Sequence, residues 1–341
     1  MQDWVSFPNI LPNSGIRFNI DKVAFEIGSL SVRWYGVIIC FGFVLAVVLA
    51  MRACKKYGIS QDDLLDYLLF AMPAAVIGAR LYYVAFRLDY YLENPKEIIN
   101  YTNGGLAIYG GIIGAVIAAA IVAKVKKQSF LKIIDFSVPY IILGQAIGRW
   151  GNLINQEAYG GPTALPWGMT GSLIEKEVVQ MGYEAGTLVH PTFLYESLWC
   201  IAGFVLMLVY RRKWQKARGE VLCFYMIYYG IGRAMIEGLR TDSLMLGSFR
   251  VSQLLSLALI IVGIAMFIDL RKRYRHEIYE KGTADGETES SLSGVVARME
   301  AADETTEKGE IAELEIRRGD EMQSYAEQDT DQTAVDRDRG E

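Results

Sequence analysis

Pro139-Tyr140-Ile141-Ile142-Leu143-Gly144-Gln145-Ala146-Ile147-Gly148-Arg149-Trp150-Gly151-Asn152-Leu153-Ile154-Asn155-Gln156-Glu157-Ala158-Tyr159-Gly160 begins as an apolar run and ends as a cluster of an arginine, amides and a carboxylate. A full charge near the centre of a bilayer costs at least about 2.5–3.5 kcal/mol, so such a residue belongs in a polar cavity rather than against lipid. Arginine is also the side chain best shaped to hold a phosphate, through a planar fork of permanently charged donors. Arg149, followed by Asn152, Asn155, Gln156 and Glu157, therefore points to a site for an anionic headgroup. The same residues fit equally well a helix end at the water interface, and the segment alone does not separate the two.

Working outward, apolar residues make up 52% of the 341 residues. They fall in seven blocks, at 31–52, 63–86, 105–124, 132–150, 192–210, 219–238 and 251–270, each long enough to cross roughly 30 Å of hydrocarbon. Pro73 and Pro139 lie inside blocks, which membrane helices tolerate because neighbours satisfy the freed backbone groups. The expected fold is an all-α integral membrane protein of seven transmembrane helices with a small external head. Basic residues set its orientation. Arg52, Lys55 and Lys56 follow the first block, Lys124, Lys126, Lys127 and Lys132 the third, Arg211 to Arg218 the fifth, and Arg271 to Arg275 the seventh. With seven crossings all four clusters share one side, giving an N-terminus outside and a C-terminus in the cytoplasm.

The net charge of −5 mixes two regions. Residues 276–341 carry twenty acids and seven Lys or Arg, a balance of −13, which leaves +8 for the rest. That tail has almost no aromatic residues and no sustained apolar period, so it is expected to be a disordered cytoplasmic extension. The expected organisation is an external arm at 1–30, a seven-span catalytic domain at 31–275 with a head at about 155–191, and the tail. Cys40, Cys54, Cys200 and Cys223 lie in or beside apolar blocks without a C-x-x-C pair, so neither a disulfide frame nor a zinc site is expected. His190 and His276 are the only histidines, too few for histidine-based metal binding. No cofactor and no nucleic-acid partner are implied.

Within the blocks, Ser60 is placed to cap the second helix, with Asp62 and Asp63 in its first turn. Arg80, Tyr83 and Arg87 share one face near its other end. Residues 88–103 read as an interfacial segment with tyrosines at headgroup level. Gly110 and Gly114 are spaced for close helix packing, while two double glycines around Tyr109 suggest a backbone approached by something bulky. The connection from Asn155 to Pro191 is too long for a simple loop and is expected to fold as a cap or lid. Tyr225, Tyr229, Arg233, Glu237 and Arg240 step by four, four, four and three residues, so they share a helical face. Facing lipid would be costly, so the stripe faces the bundle interior. A purely structural Arg233–Glu237 pair is the simpler alternative.

The run Gly148 to Gly160 resembles the signature of the bacterial prolipoprotein diacylglyceryl transferase family. Val32-Arg33-Trp34-Tyr35-Gly36, Gly104-Gly105-Leu106, Gly110-Gly111, His190-Pro191-Thr192 with Tyr195-Glu196, and Gly232-Arg233 with Glu237 extend the resemblance across residues 30–270. It implies transfer of the diacylglyceryl group from phosphatidylglycerol to the lipobox cysteine of a preprolipoprotein, in the bacterial cytoplasmic membrane with the active site toward the outer leaflet. It also implies that Arg149, Asn152, Glu157, Arg233 and Glu237 hold the headgroup and support the reaction, with Tyr35, Tyr229 and Gly160 at further matched positions. Where some members have a histidine proposed as a base, this chain has Tyr109. A phenol of pKa near 10 is a poor base at neutral pH, so another group, Glu157, Glu237 or solvent, is expected to take the proton.

The residues alone also admit a transporter for a small anion or a lipid-binding scaffold without chemistry. The polar residues gather at one end of their spans, with no matching set at the other. No two-fold repeat of the kind many transporters carry is visible either. Both observations favour an enzyme.

Overall fold

Ser60 does cap the second long helix, accepting a hydrogen bond from the Asp63 N–H at 2.9 Å, and the apolar blocks become helices throughout. A computed structural model of the chain describes residues 3–11, 14–28, 30–100, 104–247 and 249–284. Its α-helices are α1 (Trp34–Ala53), α2 (Gln61–Ala85), α3 (Leu88–Glu93), α4 (Ile108–Val125), α5 (Phe130–Asn155), α6 (Ser172–Gln180), α7 (Thr192–Lys213), α8 (Glu220–Glu237) and α9 (Val251–Ala284). Six stretches are long and apolar enough to cross a membrane: Trp34–Tyr57, Gln61–Ala85, Ile108–Val125, Phe130–Asn155, Thr192–Lys213 and Val251–Tyr274. The expected sixth span, α8, is not among them. It is only 18 residues long and carries three charges, Glu220, Arg233 and Glu237.

The chain divides into two units, Met1–Arg271 and Lys272–Glu341. Most of the expected acidic tail, residues 285–341, lies outside the described residues.

In the first unit α5 is central, packing against α1, α7 and α8. Helices α2 and α4 form a tight pair. A Cβ added to Gly78 would collide with the Gly110 carbonyl oxygen, and one on Gly114 with that of Ala74. The bulky neighbour expected beside the glycines around Tyr109 is thus chiefly the α2 backbone. Small residues at such crossings let helices approach where lipid supplies no hydrophobic drive.

At the C-terminal end of α5, Gln156 adopts left-handed geometry with φ of 56°. It terminates the helix, and its carboxamide oxygen accepts from the Leu173 N–H at 2.9 Å in the first turn of α6.

The fold is mostly helical rather than all-α. Residues expected as a partly ordered arm form two hairpins, β1 (Asp3–Leu11) with β2 (Ser14–Ile20), and β3 (Val23–Ile27) with β4 (Leu30–Arg33). The short β5 (Thr170–Gly171) joins the free edge of β1, pairing Val5 with Gly171 and Ser6 with Thr170. A further hairpin, β6 (Met245–Leu246) with β7 (Phe249–Arg250), precedes α9. The segment 155–191 contains β5 and α6 and contributes to a small core with the arm. Val5, Phe7, Ile20, Tyr159, Met169, Ile174, Val178, Val189 and Phe193 make one small core. Burial, helped by a hydrogen bond to Glu177, pushes the Tyr159 phenol well above its ordinary range, so it stays a neutral donor.

Candidate active site

Three helices deliver charge to one place. Arg149 from α5, Arg233 from α8 and Arg240 just beyond α8 converge on Glu196, in the second turn of α7. Arg149 Nη2 lies 2.6 Å from Glu196 Oε2, Arg233 Nη1 2.9 Å from Oε1, and Arg240 Nη1 3.6 Å from Oε1. Arg233 Nη2 also reaches Glu237 at 2.5 Å, one turn along its own helix. The stripe on α8 therefore faces the bundle, and Arg233 is more than half of an intrahelical pair. Glu196 is 7% and Glu237 2% exposed at the side chain. Two buried carboxylates thus share three guanidiniums. Asp242, at the rim, takes Arg240 through both oxygens at 2.7 and 2.9 Å. Burial would raise the Asp242 carboxyl, and the Arg240 pair outweighs it, holding the group below the usual carboxylate range.

Arg149 is the least committed of the three. A guanidinium carries five N–H donors, and among the described residues its one hydrogen-bonding or ion-pair partner is Glu196. Uncommitted donors on a fixed cation, between apolar helices, suit an incoming anion. The α5 terminus beside it is held firmly. Tyr35, in the first turn of α1, packs its ring on Gly151, where a Cβ would collide with the ring. Trp150 donates to Ser197 Oγ at 3.1 Å. Asn152 and Asn155 donate to the same oxygen of Glu157, at 2.9 and 3.1 Å. Glu157 is thus held by amides rather than by an arginine. Tyr229 lies within electrostatic reach of Arg149 and Arg233.

Gly160 is a crossing point. A side chain there would strike His190 Cβ at 2.7 Å and the Leu239 carbonyl at 3.0 Å. Its N–H donates to the His190 carbonyl at 2.9 Å, and its backbone bridges to Arg240. The residue joins the head to the chain segment that carries Arg240.

Tyr109 and Arg80 have different surroundings. Tyr109, at the start of α4, is 45% exposed and meets the Tyr82 ring at 6.4 Å. No hydrogen bond joins it to the arginine cluster among the described residues. Arg80 is fully occupied. Its Nε donates to the Ile98 carbonyl at 2.9 Å, Nη1 to Gly104 and Gly105 at 3.0 and 2.9 Å, and Nη2 to Glu97 and Asn100 at 2.5 and 2.6 Å. All five donors bind backbone, so Arg80 shapes the 94–105 connection. Conversely, Glu196 was visible in the sequence only as part of a matched motif, though an acid within an apolar block was itself a signal. No cluster of His, Cys, Asp and Glu suited to a metal occurs among the described residues.

The sequence profile of the prolipoprotein diacylglyceryl transferase family matches residues 22–269. A protein of Bacillus cytotoxicus is 49% identical over 253 residues, covering 74% of this chain and 93% of its own length. One of Finegoldia magna is 48% identical over 254 residues, covering 74% and 97%, and one of Lysinibacillus sphaericus 46% over 256 residues, covering 74% and 93%. All three are named phosphatidylglycerol–prolipoprotein diacylglyceryl transferase. With the profile spanning most of the chain and identity this high over nearly the whole of each relative, the chain belongs to the prolipoprotein diacylglyceryl transferase family.

Proposed function

We propose that this chain transfers the sn-1,2-diacylglyceryl group of phosphatidylglycerol to the lipobox cysteine of preprolipoproteins, the first step of lipoprotein maturation. The reaction takes place at the outer leaflet of the bacterial cytoplasmic membrane. In this reading α8 is the sixth of seven crossings, the N-terminus and the 155–191 head are outside, and residues 276–341 form a cytoplasmic tail. The observation that carries it is Arg149, a cation between apolar helices with donors to spare, beside two further arginines.

The thiol sulfur attacks the glycerol carbon that bears the phosphate. The carbon–oxygen bond breaks with its electron pair on the phosphate oxygen, a thioether forms, and glycerol phosphate leaves. The phosphate passes from a diester with one negative charge toward a monoester with two. Arg149 and Arg233 therefore bind the transition state more strongly than the ground state, which is the requirement for catalysis. Their field also favours the thiolate, only a few per cent of a free thiol at pH 7.

Glu196 and Glu237 hold the arginines apart and in place. Glu157, fixed by Asn152 and Asn155 and without an arginine partner among the described residues, takes the thiol proton. Tyr35 and Gly160 act on position, Tyr35 by bracing α5 and Gly160 by joining the head to Arg240. Tyr229 lines the headgroup site, and Tyr109 hydrogen-bonds substrate without serving as the base.

The test uses purified protein in phosphatidylglycerol vesicles with a lipobox peptide. Stoichiometric glycerol phosphate and thioether-linked peptide are expected. Lipid binding without release of glycerol phosphate would leave a scaffold, and anion flux without product a transporter.

A further inference from the structure

Gln145 and Tyr225 have no part in the chemistry above, and they are unusual. Gln145 lies on α5 four residues before Arg149, and Tyr225 on α8 four residues before Tyr229 and eight before Arg233. The pair therefore sits one helical turn, about 5.4 Å, farther into the bundle than Arg149 and Tyr229. Gln145 Nε2 donates to the Tyr225 hydroxyl oxygen at 2.9 Å. The Tyr225 ring stacks on Tyr229, with centroids 5.4 Å apart and planes at 15°. Both Tyr225 and Tyr229 are within electrostatic reach of Arg149.

What remains unused is the informative part. Gln145 Oε1 is buried and accepts no hydrogen bond from the described residues. The Tyr225 hydroxyl accepts from Gln145, and among the described residues its own proton has no acceptor. Exchanging the two ends of the carboxamide changes only which residue holds the spare donor. Buried polar groups are nearly always satisfied, and leaving one unpaired in an apolar setting is costly. A clasp between α5 and α8 needs the one bond that is present and gives no reason for the spare groups.

We propose that Gln145 and Tyr225 form a subsite that hydrogen-bonds an acyl ester carbonyl of the lipid donor. The proposal rests on the reading of function above. In a glycerophospholipid whose phosphate meets Arg149, the next polar groups toward the acyl chains are the two ester carbonyls, a few covalent bonds away. They are acceptors only, so they call for a donor one step deeper than the arginine, and the pair supplies one. The subsite would make the enzyme read the linkage of the acyl chains as well as the headgroup.

The test compares ordinary diacyl phosphatidylglycerol with its dialkyl ether analogue, which keeps headgroup and chains and lacks the carbonyls. For the unmutated protein kcat/KM should favour the diester by about fivefold to tenfold, the worth of one hydrogen bond. In Tyr225→Phe the ratio should fall to near one, because diester transfer drops more than diether transfer. Gln145→Leu should also lower it, and carries the test by itself if Tyr225→Phe does not fold. Because each protein's diether rate is its own reference, a general loss of packing would not change the ratio. Unmutated preference in a folded Tyr225→Phe or Gln145→Leu enzyme would overturn the proposal. So would an unmutated protein that takes both lipids equally. Transfer from neither lipid by the unmutated protein would overturn the reading of function, and this subsite with it.

Discussion

Arg80 and Arg149 each lie near the C-terminal end of a long apolar helix, and both stand out in the sequence for the same reason. Their surroundings make them opposites. Arg80 gives all five N–H groups to the carbonyls of residues 97, 98, 100, 104 and 105, and stacks over Tyr91 at 5.2 Å. Arg149 reaches one carboxylate, which it shares with two other arginines. A guanidinium whose donors are spent on backbone is a structural pin. One held in place with donors to spare suits an anion. The cost of a membrane-depth charge signals that it has a partner, and the count of free donors separates structure from function.

The widest gap between the two should appear on truncation. Arg149→Ala is expected to lower transfer at least about 100-fold, the scale for losing one donor to a developing oxyanion, while the protein stays inserted and melts near the unmutated temperature. Activity close to the unmutated level would remove Arg149 from the site. Arg80→Ala should do the reverse. Several carbonyls of the 94–105 connection lose their donor, so thermal stability should fall by about 2 kcal/mol and proteolysis within 94–105 should quicken. The surviving folded protein should keep most of its kcat. A stable Arg80→Ala protein without activity would break the comparison.

Much of this was legible in the sequence, and the limits have physical causes. Helix positions follow from the length of apolar runs and from local caps such as Ser60, both written in neighbouring residues. The inward stripe on α8 could be read because 3.6-residue periodicity puts Tyr225, Tyr229, Arg233 and Glu237 on one face. The convergence on Glu196 could not. It joins α5, α7 and α8 across 37 to 47 positions of chain, and nothing local to Glu196 names its partners. Of the arm, only the pairing of β1 with Thr170–Gly171 was beyond local reading, because its partner lies far along the chain. The partners of Arg80 were hidden for the same reason, since carbonyls carry no sequence signal. The family resemblance supplied the reaction, and at its one departure, Tyr109, no hydrogen bond to the arginines occurs among the described residues.

Smaller effects sharpen that last point. Tyr109→Phe is expected to cost only about 1 kcal/mol in transfer, as for one neutral hydrogen bond, with the shape of the pH–rate profile kept. A loss as deep as that of Arg149→Ala would make the phenol central to the chemistry. Truncation after Tyr274 should cost less than about tenfold, or roughly 1.4 kcal/mol in the barrier. A larger drop at normal expression would show that the acidic tail contributes.

The central claim is that Arg149, and not Arg80, holds the phosphate of the lipid donor. Solid-state NMR of arginine-labelled protein in phosphatidylglycerol bilayers can measure dipolar coupling between a guanidinium carbon and the lipid phosphorus. Assignment comes from spectra of Arg149→Lys and Arg80→Lys. The account predicts a strong coupling that disappears in Arg149→Lys and survives in Arg80→Lys. A coupling that survives in Arg149→Lys and disappears in Arg80→Lys would contradict it.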